Sequence, residues 1–346
     1  MVDTVRACPN LSTLNLVRLY RTRSSYGNAE FYNRKLGELA KLLNTSPSVT
    51  SFHFKLDELP VHERERYPVL PNEKRFVKFA QQLTDVKLYG YKEWFQHAVL
   101  PHLSSSLTSF SITAHDALLG FFPQLWQQSP ALQKLHIKTF GSKLKLTDEV
   151  IESLRLWGPT LRRFHLDLFT RDEIKLGLLL PWMPVLEELI LGDWNRIGTE
   201  GMMDIARANL PRLRTIDLGG MNYARPELNA ALIEMISRHA ATIQQISISK
   251  RYKMDVEVLR SLKLLKNLEV ICTNLDKEIQ LLEVEQLLAA CPKLKPTFPA
   301  ENYWKRVVKE HKLMAGDAEK YFFNTDYTFR TWGSSCFGEL ERRLRK

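Results

Sequence analysis

Cations and imidazoles recur in this sequence at two-residue spacing: His53 and Lys55, Lys87 and Tyr89, Lys134 with His136 and Lys138, then Arg163 with His165 and Asp167. Two-residue spacing puts side chains on one face of a strand. If the strands that carry them lie side by side, about 4.8 Å apart, then Lys134, Lys138, Arg163, His136 and His165 converge on one patch. Ammonium and guanidinium groups in such a patch hold carboxylates and phosphates by charge-assisted hydrogen bonds, so the expected ligand is an acidic or phosphorylated protein segment. Lys87, Lys134, His136, Lys138, Arg163 and His165 are its candidate contacts. The same charges also suit a solvated sheet that only keeps the protein soluble. Ser111 takes the equivalent slot between Lys87 and Lys134, and further along Glu188, Asp217, Ser247 and Ser249 do so, which leaves the first half basic and the middle of the chain mildly acidic.

Other chemistry finds little to work with. His136 and His165 share a column, but a zinc site needs a third protein ligand, and only Asp167 stands near; no metal and no cofactor are expected. GxxxxGK[ST], HExxH and GxSxG are missing, and the adjacent carboxylates Glu187 and Glu188 fall on opposite faces of a strand, where they cannot share a substrate as acid and base. The expectation is a protein without enzymatic activity. Lys and Arg total 49 against 39 Asp and Glu, a formal charge of +10. Only Arg342, Arg343, Arg345 and Lys346 form a basic run, so nucleic acid is the less favoured partner. Cys8, Cys272, Cys291 and Cys336 are scattered without a CxxC pair and read as reduced thiols. Neither a signal peptide nor a spanning apolar segment is evident, which points to the cytoplasm or nucleus and no membrane.

The elements that must position these residues follow from a repeat. A hexad L-x-x-L-x-L, with any large apolar residue at the anchors, opens at Leu11, Val49, Leu83, Leu107, Leu132, Leu161, Leu186, Leu213, Ile243, Leu268 and, degraded, Leu294. Pro9, Pro47, Pro130, Pro159, Pro184, Pro211 and Pro292 each stand two residues ahead of an anchor, where proline stops a helix and turns the chain. Inside the hexad, positions 4 and 6 alternate with polar residues, the period of a half-buried strand. Between hexads the period becomes helical: Val150, Ile151, Leu154 and Trp157 share a face, as do Met202, Met203 and Ala206, and Leu228, Leu232, Met235 and Ile236. Thr147 and Thr199 are candidate helix starts. One strand and one helix cannot cover their own apolar sides, so the units must stack.

The phrases CPNLSTLNL at Cys8 to Leu16 and ACPKL at Ala290 to Leu294 resemble the repeats of the ribonuclease-inhibitor-like leucine-rich repeat superfamily, and most of all the repeat domains of F-box proteins. The resemblance implies a right-handed α/β leucine-rich repeat solenoid, a horseshoe with a parallel sheet on its concave face and helices on its convex face. It implies a protein-interaction scaffold, with the repeats selecting substrates for a Skp-cullin-F-box ubiquitin ligase. Only ten residues stand before Leu11, so an adaptor is expected only if an F-box lies upstream. A GTPase regulator of the Ran GTPase-activating type is the alternative, and a nucleic-acid-binding solenoid a third. The domain expectation is a repeat domain over 1–299, of ten to eleven irregular repeats, and a helical, aromatic cap over 300–346. At position 9, where such repeats often place Asn or Cys, this chain has Tyr91, Phe140, Phe169, Trp194 and Met221. These side chains either fill the upper edge of the core or, with Trp194 foremost, form an aromatic rim for a partner.

Overall fold

In the computed structural model, each of the first ten hexads opens a strand two residues after its leading residue, and the degraded one at Leu294 opens a strand one residue after. The structure describes residues 10–17, 38, 41, 44, 48–55, 76–89, 99–115, 121–140, 147–168, 173–192, 196–221, 224–249, 251–275, 279 and 281–297. The C-terminal cap expected over 300–346 lies outside them, as do Tyr91, Phe169 and Trp194 and the charged insertion Asp57 to Arg66. The chain divides into two compact units, Met1–Leu161 and Arg162–Lys346.

The first unit carries strands β1 (Thr13–Val17), β2 (Ser51–Lys55), β3 (Asp85–Tyr89), β4 (Ser109–His115) and β5 (Lys134–Phe140), with helices α1 (Val77–Gln82), α2 (Phe122–Gln128) and α3 (Asp148–Trp157). Its strands pair in sequence order, all parallel. The second unit carries β6 (Arg163–Leu168), β7 (Glu188–Leu191), α4 (Thr199–Arg207), β8 (Thr215–Leu218), α5 (Pro226–Arg238), β9 (Gln245–Ile248), α6 (Val256–Ser261), β10 (Val270–Cys272), α7 (Leu281–Ala290) and β11 (Lys295–Thr297). These six strands are again parallel and in sequence order, and the short segments Lys253–Met254 and Asn274–Leu275 pair in a separate parallel ladder.

Register follows the hexad without a slip. Position 4 forms one buried column in the first unit, Leu14, Phe52, Val86, Phe110 and Leu135, and another in the second, Phe164, Leu189, Ile216, Ile246 and Ile271. The leading anchors from Val49 to Leu268 are fully buried. Pro130, Pro159, Pro184, Pro211 and Pro292 all lie exposed in turns. Proline's missing N–H leaves nothing unpaired there.

Helices follow the expected faces with two adjustments. Thr147 caps α3 through its hydroxyl, which accepts from the Val150 N–H at 3.4 Å, and Val150, Leu154 and Trp157 are buried while Ile151 is half-buried. Thr199, the other candidate start, is the first helical residue of α4, and Gly198 takes the cap position in extended backbone. The Gly198 Cα lies against the Glu173 carboxylate, which leaves no room for the side chain that a capping residue would bring. Among the described residues no helix is long and apolar enough to cross a membrane.

A second set of hydrogen bonds ties several helix ends to the repeat before. In the first unit the Ser104 hydroxyl donates to the Gln81 carbonyl at 2.9 Å, the Ser129 hydroxyl to the Ser104 carbonyl at 3.1 Å, and the Trp157 indole N–H to the Ser129 carbonyl at 2.9 Å. In the second, His239 Nε2 donates to the Ile205 carbonyl at 2.9 Å and the Cys291 thiol to the Leu265 carbonyl at 3.4 Å. Burial pushes the Cys291 thiol up, against a smaller opposing pull from Lys266, so it keeps the proton it donates. Trp157 is fully buried, and its ring meets Phe122 edge to face at 5.6 Å. Trp157→Phe keeps an aromatic edge but leaves the Ser129 carbonyl unpaired, so urea unfolding should show about 1–3 kcal/mol of lost stability at unchanged m-value. A variant as stable as the parent would remove this bond from the account.

Candidate functional site

Positions 3, 5 and 7 of the five strands of the first unit carry the predicted contacts, and the register sets their neighbours. Across position 5 run Asn15, His53, Lys87, Ser111 and His136; across position 3 run Thr13, Ser51, Asp85, Ser109 and Lys134. Lys134 is exposed, and Lys87, His136 and Lys138 are half-buried. Four of the seven predicted contacts thus lie on two strands, β3 and β5, of one face. Arg163 and His165 lie on β6 of the second unit, both half-buried. Trp194 lies outside the described residues. Of the position-9 residues, Met221 is fully buried in the core, as the packing reading requires.

The sequence reading overlooked Asp85. It occupies position 3 beside Ser51, and two residues before Lys87, so its slot was legible from the hexad alone. Its Oδ2 accepts from the Ser51 hydroxyl at 2.8 Å and from His53 Nε2 at 3.0 Å. Burial by itself would raise this carboxyl; the hydrogen bonds of His53, Ser109 and Ser51 and the charge of Lys87 outweigh it and hold Asp85 down at about 2, against an ordinary 3.8.

Serine, histidine and aspartate together invite comparison with a hydrolytic triad, and the geometry answers it. A relay needs one imidazole nitrogen on the serine and the other on the carboxylate. Here the single nitrogen Nε2 of His53 meets both, with Ser51 Oγ at 3.2 Å, and the Ser51 proton is already given to Asp85. The cluster stores a compensated charge and activates no nucleophile.

The second unit is compensated more directly. Arg163 Nη2 lies 3.1 Å from Glu188 Oε1, its register neighbour at position 3, and Arg162 Nη1 lies 3.0 Å from Glu187 Oε1. Four residues expected to face solvent, Asp167, Asp217, Ser247 and Ser249, are buried. Asp167 is explained by its neighbour: the carboxylate lies against the Gly192 Cα, in space that any larger residue would fill. Asp217 and Ser247 are register neighbours on β8 and β9, and Ser249 follows β9, where its hydroxyl accepts from the Arg251 N–H at 3.2 Å. His136 and His165 lie in different units, and the described residues contain no group of three or more His, Cys, Asp or Glu placed to hold a metal.

One strand and one helical segment per repeat, parallel strands in sequence order and buried anchors at fixed positions define an α/β leucine-rich repeat protein. Among solved structures, the chain is similar to one in the Rad7–Elc1 complex of yeast, with 17% identity and a TM-score of 0.45 over 75% of this chain and 65% of that one, so it spans less than two thirds of that chain's length. It is also similar to the leucine-rich repeat-containing protein LegL7 of Legionella pneumophila, with 12% identity and a TM-score of 0.42 over 90% and 95% of the two chains. Both likenesses are loose, and the class rests on the register. No protein-family model and no curated protein matches the chain.

Because the Asp85 carboxyl is held below its unfolded value, its contribution is complete above about pH 4 and lost as pH falls through about 2. The drop from 3.8 to about 2 corresponds to on the order of 2 kcal/mol. Asp85→Asn should lower stability by about that amount at neutral pH and flatten the stability profile between about pH 5 and 2. Parallel profiles for the two proteins would show that the carboxylate contributes nothing.

Proposed function

We propose that this chain is a protein-interaction scaffold whose first-unit sheet face holds an acidic or phosphorylated protein segment. The observation that carries the reading is the composition of that face: Lys87, Lys134, His136 and Lys138 share it, and Asp85 is the single carboxylate among its described residues at positions 3, 5 and 7. Side chains set on a stacked sheet are already ordered, so a bound segment loses its own freedom and little of the protein's. The remaining candidate contacts, Arg163 and His165, belong to the second unit, where Arg163 would take an anion only in competition with its bond to Glu188, and Trp194 is kept as an aromatic anchor.

The resemblance to F-box repeat domains supports a finer version, in which the bound segment belongs to a substrate of a Skp-cullin-F-box ubiquitin ligase and an F-box encoded upstream recruits the adaptor.

The test uses a labelled polyglutamate peptide and the full chain. Binding should weaken with added salt, because the contacts are charges on a solvent-facing sheet. Lys134→Glu with Lys138→Glu should abolish it while circular dichroism stays unchanged. Retained binding in the double variant would remove this face as the site.

A further inference from the structure

The cations of the first unit do not form an even carpet. At positions 3, 5 and 7, strand β4 presents small hydroxyl residues on this face, Ser109, Ser111 and Thr113, all half-buried. Its neighbours on either side present long or ring side chains: Lys87 on β3, and Lys134, His136 and Lys138 on β5. Short residues between tall ones make a trough. The two walls stand two strand spacings apart, about 10 Å, wide enough for one extended chain to lie along β4.

We infer that this trough is a phosphate-reading subsite, in which a phosphorylated serine or threonine of an extended partner segment sits over Ser111 between Lys87 and the β5 wall. The inference rests on the interaction face proposed above and names the ligand chemistry it selects. Phosphate is favoured over carboxylate by the arrangement of donors. A carboxylate offers two coplanar oxygens and one charge, whereas a phosphomonoester offers three oxygens and nearly two charges at neutral pH. Donors here come from three directions: the β4 hydroxyls from below, Lys87 from one side, and Lys134 from the other, a diagonal step of about 8 Å from Ser111.

Ser111 is set for the role. Its Oγ lies 3.1 Å from His136 Nδ1. With the proton on Nδ1, His136 donates to Ser111, whose own O–H then turns outward toward an anion. Asp85 marks the opposite limit of the trough. It lies beside Ser109 in the register, repels an incoming anion and draws on Lys87.

Fluorescence anisotropy on the full chain tests this with a labelled ten-residue Gly- and Ala-rich peptide bearing one phosphoserine, alongside its serine and glutamate versions. The phosphoserine peptide should bind at least about tenfold tighter than the glutamate peptide. Lys87→Gln and Ser111→Ala should each erase most of that preference. Asp85→Asn should tighten phosphopeptide binding by a few fold, a gain that misfolding cannot imitate. Equal binding of the two charged peptides, or a preference untouched by Ser111→Ala, would overturn the trough. If polyglutamate still binds and is lost in the Lys134→Glu, Lys138→Glu variant, the face survives and only the phosphate reading fails; if no acidic probe binds, both fall. A single-stranded oligonucleotide that binds as tightly as the phosphopeptide also overturns it, because the subsite would then read a nucleic-acid backbone.

Discussion

One backbone interaction, repeated at nearly every step, sets everything else in this molecule. The carbonyl at hexad position 2 accepts two N–H groups from the next repeat, those of its positions 2 and 3: Thr50 and Ser51 on Ser12, Thr84 and Asp85 on Thr50, Thr108 and Ser109 on Thr84, and Gln133 and Lys134 on Thr108. The second unit repeats it at Arg162, Glu187, Arg214 and Gln244. This fork fixes the register before the strands proper begin. A shift of one residue would turn every anchor to the opposite face, exposing columns such as Leu14, Phe52, Val86, Phe110 and Leu135 to water. Register is therefore enforced twice, by hydrogen bonds at the strand entrance and by burial along its length.

The same fork explains why the strands were legible in the sequence and the charge pairing was not. The hexad is a local signal, so each strand start could be read inside one repeat. Compensation is a signal between repeats. Arg163 and Glu188 stand 25 residues apart in number but are adjacent at position 3, and Asp85 becomes visible only when its slot is compared with Ser51 and His53 in the repeat before. Reading down the columns as well as along the chain recovers both. Trp194 and the C-terminal aromatic stretch lie outside the described residues, and nothing about their placement follows from the pattern.

The helix-end hydrogen bonds were illegible for a different reason. The carbonyls that close successive helical segments need a donor from the following repeat, and the chain supplies a serine at 104 and 129, an indole at 157, an imidazole at 239 and a thiol at 291. Sequence pattern sees five unrelated residues, because the constraint acts on one donor at one place and leaves the rest of the side chain free to fill the local volume. Trp157 fills a large one against Phe122; Ser129 fills a small one. Tyr252 belongs to the same economy. Its hydroxyl donates to Asn229 Oδ1 at 2.6 Å, Asn229 donates to Asp255, and Asp255 caps α6 through the Val258 N–H at 2.9 Å. Burial, with the Asp255 charge added, pushes the Tyr252 phenol up, so it stays a donor at any pH the fold would meet.

What the repeats leave undetermined is the outward face, and there the two units differ in kind. On β6 and β7 each position-3 charge meets its opposite across one strand spacing, and surface pairs of this sort contribute about 0–1 kcal/mol to stability while cancelling the field an anion would feel. On β3 to β5 the single carboxylate at positions 3, 5 and 7 is drawn to one side by Ser51 and His53, and the strand between the lysines carries hydroxyls at all three of those positions. Stability does not ask for that spacing: β-branched or aromatic residues at 109 and 111 would pack better on a half-buried strand. Small hydroxyls between cations weaken the sheet slightly and keep like charges from being screened by their neighbours. On the reading proposed above, both costs are recovered when an anion binds.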